Sequence, residues 1–267
     1  PLSNANQLTD VNNFLNWMKM VADTEIPFTK QMRIATREIH NVSDAMVNAK
    51  LGIGCSDNRV WAEGLMIYYE VFSFMEGAMD RLSHTLIGDL DIPGMRRKEA
   101  FEKDLAFYLG PDWQKDYSPR ESVCNYLQHV KNLEKNNPYL LMAHIYHFYM
   151  GLLSGGQIMR RQRALMQKLK FSRKETGLQG LAVTEVTNVA KIKSGMAEAM
   201  NRIAGELDEE TRQGLIEESK MVFILSNSMV QSIEGAGAVV AIKLVKWAMY
   251  GMLGVLLAIY VKKWALG

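Results

Sequence analysis

A histidine and a carboxylate lie four residues apart in the segment "TREIHNVSDAMV", as His40 and Asp44. On a helix this spacing places both side chains on one face. The carboxylate can then accept a hydrogen bond from one ring nitrogen and leave the other nitrogen free to bind a metal. Ordinary helical histidines share this pattern, so the pair taken alone leaves both interpretations open.

A second unusual segment is "HFYMGLLSGGQIMRR", residues 147–161, where three glycines interrupt a helical pattern. Each glycine costs about 1 kcal/mol relative to alanine inside a helix. Gly151 and Gly155 are four residues apart, so they clear one helix face of side chains. Such a face suits a planar cofactor, and it is equally typical of tight helix packing or a bend.

The other histidines give weaker signals. His144 and His147 in "LLMAHIYHFYMG" are three residues apart and could bind a metal together. Because no acidic residue neighbours them, we interpret this segment as an aromatic helix buried in a bundle. His84 and His129 have no companions in the sequence that suggest a site.

Composition excludes several classes of function. A net charge of +2, with acids and bases interleaved, argues against nucleic-acid binding. Cys55 and Cys124 are far apart and are interpreted as inert packing residues, with neither a disulfide nor a zinc motif.

One run of basic residues contains no acidic residue. It is either a solvated face or a docking face for an acidic partner or anionic lipid. Its basic residues are Arg160, Arg161, Arg163, Lys168, Lys170, Arg173 and Lys174.

Apolar residues recur at spacings of three and four along most of the chain, and strand signals are nearly absent. The sequence therefore predicts an all-α protein. In the second predicted helix, Thr29 is expected as the N-cap, and the apolar stripe comprises Met32, Ile39, Val42 and Met46. The helices are predicted near residues 11–22, 29–48, 59–84, 96–109, 119–135, 138–168, 189–204 and 208–232.

The C-terminal segment is uncharged over "WAMYGMLGVLLAIYV", residues 247–261, and lysines flank it on both sides. It is shorter than the roughly 20 residues that usually span a bilayer. Because flanking lysines can snorkel, it favours a C-terminal tail anchor over an interfacial or buried helix. We expect an N-terminal extension at 1–25, a helical domain at 26–233, and a hinge with a membrane anchor at 234–267.

Four motifs together resemble the animal heme oxygenases, in the same order and at nearly the same spacings. They are "TREIHN", "EKDLAFYLGPDWQ", "LLMAHIYHFYMGLLSGGQ" and "IEESKMVF". The resemblance covers roughly residues 26–232 and implies a single-domain helical bundle of that family, followed by the C-terminal hydrophobic helix.

The resemblance also implies roles for individual residues. His40 corresponds to the proximal ligand of heme iron, and Asp44 orients it where the family usually has Glu. Gly151 and Gly155 match the distal-helix glycines, whose backbone approaches the heme. The remaining matched positions are Arg33, Tyr146 and Lys193 for the propionates, Thr36 and Phe223 for the pocket wall, and Tyr69 for the polar network.

Four positions depart from the family pattern. Leu152 stands where the family has its catalytic Asp, a feature similar to insect members. Phe148 and Ser226 replace an Arg and an Asn of the distal region, and Ala197 replaces a propionate-binding Arg. A leucine cannot hold a water chain.

The resemblance implies that heme b is both cofactor and substrate and is opened to biliverdin with release of CO and ferrous iron. It further implies electrons from NADPH through NADPH-cytochrome P450 reductase, biliverdin reductase as a second partner, and an endoplasmic reticulum membrane location with the body facing the cytosol. The departures leave a non-catalytic heme-binding or heme-sensing protein as the alternative. A helical membrane adaptor without heme is a third and more remote hypothesis.

Overall fold

The computed structural model describes residues 26–52, 57–115, 117–170 and 179–235, and beyond these only short pieces between 237 and 261. In this described part, every regular element is a helix. The α-helices are α1 (Phe28–Ala35), α2 (Arg37–Val47), α3 (Asn58–Arg81), α4 (Lys98–Leu109), α5 (Glu121–Asn136), α6 (Leu141–Gly151), α7 (Gln157–Lys170), α8 (Val189–Glu206) and α9 (Glu209–Gln231). The all-α prediction is confirmed.

Aspartates start two of the long helices. Asp57 accepts hydrogen bonds from the backbone N–H groups of Arg59 (2.8 Å) and Val60 at the start of α3. Asp208 accepts from the backbone N–H of Thr211, at 2.7 Å, at the start of α9. These bonds satisfy N–H groups that have no partner inside the helix.

The single helix predicted over 29–48 is instead two helices with a break at Thr36. The Thr36 hydroxyl donates to the carbonyl of Met32 at 2.8 Å, a local bond that competes with regular helix geometry. The N-cap is Pro27, and not Thr29 as the sequence predicts. The backbone N–H of Thr29 donates to the side chain of Asn201 on α8. Val42, predicted in the apolar stripe, is 56% exposed.

The core lies where α3, α6 and α9 meet their neighbours. α3 packs against α4 and α5, and α9 packs against α2 and α6. Eight of the eleven residues of α6 are buried, which explains why its sequence is largely apolar and aromatic. His144 on α6 is completely buried, as the aromatic-helix interpretation predicted.

The glycine segment is a π-helical insertion. α6 ends at Gly151, a π-helical turn spans Leu152–Gly156, and α7 follows without a loop. A π-helical turn widens and bends a helix, and such turns are frequent at functional sites. The predicted helix over 138–168 is therefore present, with its irregularity at the glycines.

The predicted basic face is smaller than the sequence indicates. The Arg163 side chain is buried, with its guanidinium 5.5 Å from the Trp61 ring and 5.3 Å from the Tyr108 ring. Arg160 pairs with Glu185 at 3.3 Å. Residues 171–178 lie outside the described part of the chain.

The predictions about the two cysteines and about the two chain ends concern residues that lie partly outside the described part of the chain. Cys124 is exposed, so its interpretation as a packing residue is wrong, and Cys55 lies outside the described residues. The helix predicted over 11–22 and most of the predicted hinge and anchor also lie outside them. Where the chain is described, no helix is both long and apolar enough to span a bilayer.

Candidate heme site

His40 lies on α2 with its ring held from one side. Its Nδ1 is 3.2 Å from the Oδ2 of Asp44, one helical turn further on. The His40 side chain is 50% exposed, and its Nε2 meets no hydrogen-bond partner among the described residues. The imidazole is therefore oriented by a carboxylate and has its second nitrogen free, which is the arrangement a metal-binding histidine requires.

Phe223 connects this histidine to α6. Its ring centroid lies 5.3 Å from that of His40 and 5.1 Å from that of His147, with edge-to-face geometry in both pairs. His147 is four residues, about one turn, before Gly151. Phe223, which is predicted in the pocket wall, therefore contacts both the helix that carries His40 and the helix that carries Gly151.

Gly151 and Gly155 face open space. A Cβ added at either glycine would have no neighbouring atom within 4 Å. At the adjacent Gly156, by contrast, an added Cβ would lie 3.1 Å from the Cδ1 of Leu152. Packing inside the protein therefore explains Gly156 but leaves Gly151 and Gly155 unexplained, and both fit a planar group lying against the helix backbone.

Arg33 and Tyr146 lie together at one end of this site, where α1 meets α6. Tyr146 lies near the Thr29 side chain and within electrostatic range of Arg33. Burial raises the pKa of Tyr146, and these two neighbours partly oppose the rise. The Arg33 side chain is exposed, so its charge is available to an anionic group.

Lys193 of α8, the third predicted propionate residue, contacts the π-helical turn. Its Nζ donates to the hydroxyl of Ser154, at 2.8 Å, in the π-helical turn. Lys193 is therefore in direct contact with the glycine-bearing segment. Thr36, predicted in the pocket wall, is buried.

Two of the replaced distal residues, Phe148 and Leu152, are apolar and pack against the core. Phe148 packs edge-to-face against Tyr68, Phe72 and Tyr126, at centroid distances of 5.6 to 5.8 Å. Leu152 is partly buried against this core. No charged side chain stands at either position, so the distal side lacks the acid and the guanidinium that the resemblance implies.

Tyr69, predicted in the distal polar network, makes contacts with α4 and the segment that follows it. Its hydroxyl donates to Glu102 of α4 at 2.9 Å, and its ring packs on Trp113. The adjacent Tyr68 is the residue that contacts Phe148, because neighbouring helix positions point about 100° apart. Burial raises the pKa of Tyr68 to about 12, so its phenol is neutral.

His147 carries an unsatisfied polar atom. Its Nε2 is buried and has no hydrogen-bond partner within the described part of the chain. Burial is the main reason why its pKa falls to about 3, and the neighbouring His144 and His40 lower it further. The ring is therefore neutral over the physiological range.

A buried cluster that the sequence did not reveal joins α5, α6 and α9. The Oε1 of Glu218 accepts hydrogen bonds from Nε2 of His129 at 2.6 Å and from Nε2 of His144 at 2.7 Å. The hydroxyl of Tyr126 lies 2.5 Å from Nδ1 of His144. The expectation that His129 has no companion is wrong, because its partner lies 89 residues away along the chain.

The charges of this cluster follow from its contacts. Burial lowers the pKa of His144, although Glu218 opposes this, so the ring is neutral. Burial alone would raise the pKa of Glu218, but the bonds from the two histidines bring it below its ordinary value. His144 therefore donates from Nε2 to the carboxylate and accepts from the Tyr126 hydroxyl at Nδ1.

The fold and this geometry define an all-helical protein in which one aromatic ring, that of Phe223, links a histidine-bearing helix to a glycine-bearing one. The family model described as "Heme oxygenase" matches residues 26–232, and the chain belongs to the heme oxygenase family.

Relatives agree with this assignment. Heme oxygenase 1 of Bos taurus is 26% identical over 222 residues, covering 80% of this chain and 74% of that protein. Heme oxygenase 1 of Nostoc sp. is 26% identical over 210 residues, covering 77% of this chain and 85% of that protein. The crystal structure of heme oxygenase 2 from Chlamydomonas reinhardtii without heme is similar, with a TM-score of 0.70 and 27% identity over 78% of this chain and 98% of that one.

Proposed function

We propose that this protein is an active heme oxygenase, which opens heme oxidatively to biliverdin and releases CO and ferrous iron. The observation that carries the proposal is the His40 imidazole, held by Asp44 at 3.2 Å with Nε2 free. It lies one aromatic ring away from the helix whose Gly151 and Gly155 face open space. When bound, heme supplies both the redox-active iron and the ring that is cleaved.

The protein's own part is binding and orientation. Nε2 of His40 would bind the iron, and the absent side chains at Gly151 and Gly155 would let the porphyrin plane approach the backbone. Arg33 and Lys193 would hold the propionates through charge-assisted hydrogen bonds, with Lys193 exchanging its bond to Ser154 for one to a carboxylate.

Turnover is slow and not strictly regioselective in this proposal. With Leu152 and Phe148 on the distal side, no acid or guanidinium orders water there. Ala197 also removes one cation from the propionate edge. Leu152 is the feature that supports placing the chain among insect-like members of the family.

Electrons come, in this proposal, from NADPH through NADPH-cytochrome P450 reductase, and biliverdin reductase consumes the product. The exposed Arg161 on α7 supports a contact with an acidic reductase surface. The lysine-flanked apolar segment 247–261 supports a tail anchor in the endoplasmic reticulum membrane, with the catalytic body in the cytosol.

Reconstitution tests these statements together. The purified protein is mixed with hemin, NADPH and reductase, and the Soret band is followed with and without the reductase. Reductase-dependent loss of the Soret band with appearance of biliverdin absorbance supports the proposal. A Soret band that persists with reductase selects the non-catalytic heme-binding alternative.

Membrane flotation of the full chain, compared with a chain ending near residue 235, tests the anchor.

A further inference from the structure

A second candidate metal centre lies where α5, α6 and α9 meet. Nε2 of His129, Nε2 of His144 and Oε1 of Glu218 lie within 4.8 Å of one another. Two imidazoles and one carboxylate are a donor set that zinc takes readily in proteins. The heme assignment uses none of these three groups.

We propose that His129, His144 and Glu218 form a binding site for a divalent transition metal of the zinc class, with one coordination position open to solvent.

The charge of the cluster favours a cation. Glu218 is only 7% exposed, and among the described residues no lysine or arginine pairs with it. Within the described part of the chain, its side-chain partners are the imidazoles of His129 and His144. No lysine or arginine of the described residues therefore balances this buried carboxylate, and a divalent cation would supply a countercharge.

The surroundings are also those of a metal site. Tyr126 contacts Nδ1 of His144 at 2.5 Å and so fixes the ring with Nε2 pointing at Glu218, as outer-shell partners of metal-bound histidines do. His144 and Glu218 are buried, whereas the His129 side chain is 28% exposed. His129 therefore provides both the entry path and the side on which a water can complete the coordination.

Metal binding would need only a small adjustment. The present N–O distances of 2.6 and 2.7 Å are those of hydrogen bonds. Around a tetrahedral zinc with bonds near 2.0–2.1 Å, neighbouring ligand atoms are roughly 3.3 Å apart. The carboxylate must therefore move away from each ring by about 0.6 Å, and both Nε2 protons must leave, with His144 reprotonated at Nδ1 to donate to Tyr126.

Zinc and cobalt titrations of the heme-free full-length protein test the site. Zn²⁺ binding is measured by calorimetry, and Co²⁺ binding by the visible d–d bands that report its coordination. We expect one site in the unmodified protein. His129→Gln should weaken binding more than about tenfold, and circular dichroism should show the helices intact, because His144, Glu218 and Tyr126 keep their own contacts.

Two control variants separate this site from other histidines. His84→Gln changes an exposed histidine outside the cluster. His40→Ala removes a second exposed histidine, which differs from His84 in having a carboxylate partner, Asp44. Both should bind Zn²⁺ as the unmodified protein does. The proposal is overturned if the unmodified protein takes up no zinc, if His129→Gln binds it equally well, or if binding is lost in His40→Ala. Heme binding and turnover are measured separately, so failure of this site leaves the proposed function standing.

Discussion

Oδ2 of Asp44 lies 3.2 Å from Nδ1 of His40, and this contact fixes which ring nitrogen can reach a ligand. Both residues belong to α2 and are one helical turn apart, so the helix itself sets the distance. Both side chains are at least half exposed, and the free nitrogen therefore faces a region that a ligand can enter.

His40→Ala should remove the imidazole that would bind the heme iron and reduce turnover to near background. No second histidine lies on α2 to replace it. The ferric heme spectrum and the rate of heme loss measure the effect, and His84→Ala is the matched control. A variant with the native spectrum and rate would show that another group binds the iron.

Gly155→Ala should separate folding from heme binding. The added methyl meets nothing within 4 Å in the heme-free protein, and alanine is favoured over glycine in a helix by up to about 1 kcal/mol. The heme-free variant should therefore be as stable as the native protein or slightly more stable, while heme affinity falls because the methyl occupies the cofactor face.

Gly205→Ala is the control for this substitution. Gly205 lies near the end of α8, and a Cβ there also meets nothing within 4 Å. It should change stability in the same direction and leave heme affinity unchanged. Unaltered heme affinity in Gly155→Ala would contradict the assignment of this helix face.

The product should be a mixture of biliverdin isomers, because Ala197 lacks the guanidinium that would help to hold a heme propionate. Arg202, the first cation after Ala197 along α8, is paired with Asp89 at 2.9 Å and with Glu206 at 3.2 Å, so it does not replace the missing arginine. A charge-assisted bond of the missing kind is typically worth about 1.5–3 kcal/mol, and about 1.4 kcal/mol already changes a population tenfold. Two heme orientations should therefore coexist.

Chromatography of the extracted pigments checks this expectation. The unmodified protein should give a mixture of biliverdin isomers, Ala197→Arg should narrow the mixture, and Leu152→Asp should change the rate. A single isomer from the unmodified protein would refute the weakened-edge argument.

The heme-free protein should lose stability in acid partly through His147. Its pKa falls from the ordinary 6.5 to about 3 in the folded state, mainly through burial. Below pH 6.5 the unfolded chain takes up a proton that the folded chain does not. The free energy of unfolding therefore decreases as the pH falls from about 6.5 towards 3, by up to about 1.4 kcal/mol per pH unit.

His147→Leu should reduce this slope, because the group that titrates is removed. It should not destabilise the protein at neutral pH, since the Nε2 it removes has no partner among the described residues. Urea unfolding between pH 7 and pH 4.5 measures both effects. Equal slopes for the two proteins would show that His147 does not titrate on unfolding.

The sequence alone was sufficient where the signal is local. The His40–Asp44 pair follows from a spacing of four, and the helical class follows from apolar periodicity. The break at Thr36 was missed because the helical pattern continues through it and only a side-chain bond to the preceding turn interrupts the geometry.

Contacts between distant segments could not be predicted in this way. His129 and Glu218 are 89 residues apart, and nothing in either segment indicates the other. Tyr68 and Tyr69 are chemically alike neighbours, so only the rotation of α3 decides that Tyr68 faces Phe148 while Tyr69 faces Glu102. The burial of Arg163 between two aromatic rings likewise depends on the tertiary fold.

The central claim is that this chain converts heme to biliverdin and CO at the His40 site. The most direct measurement is the amount of CO released per heme consumed, with NADPH and reductase and with catalase present to remove free hydrogen peroxide. The account predicts one CO and one biliverdin for each heme, and neither product from His40→Ala. Heme that stays intact, or that disappears without CO, would contradict it.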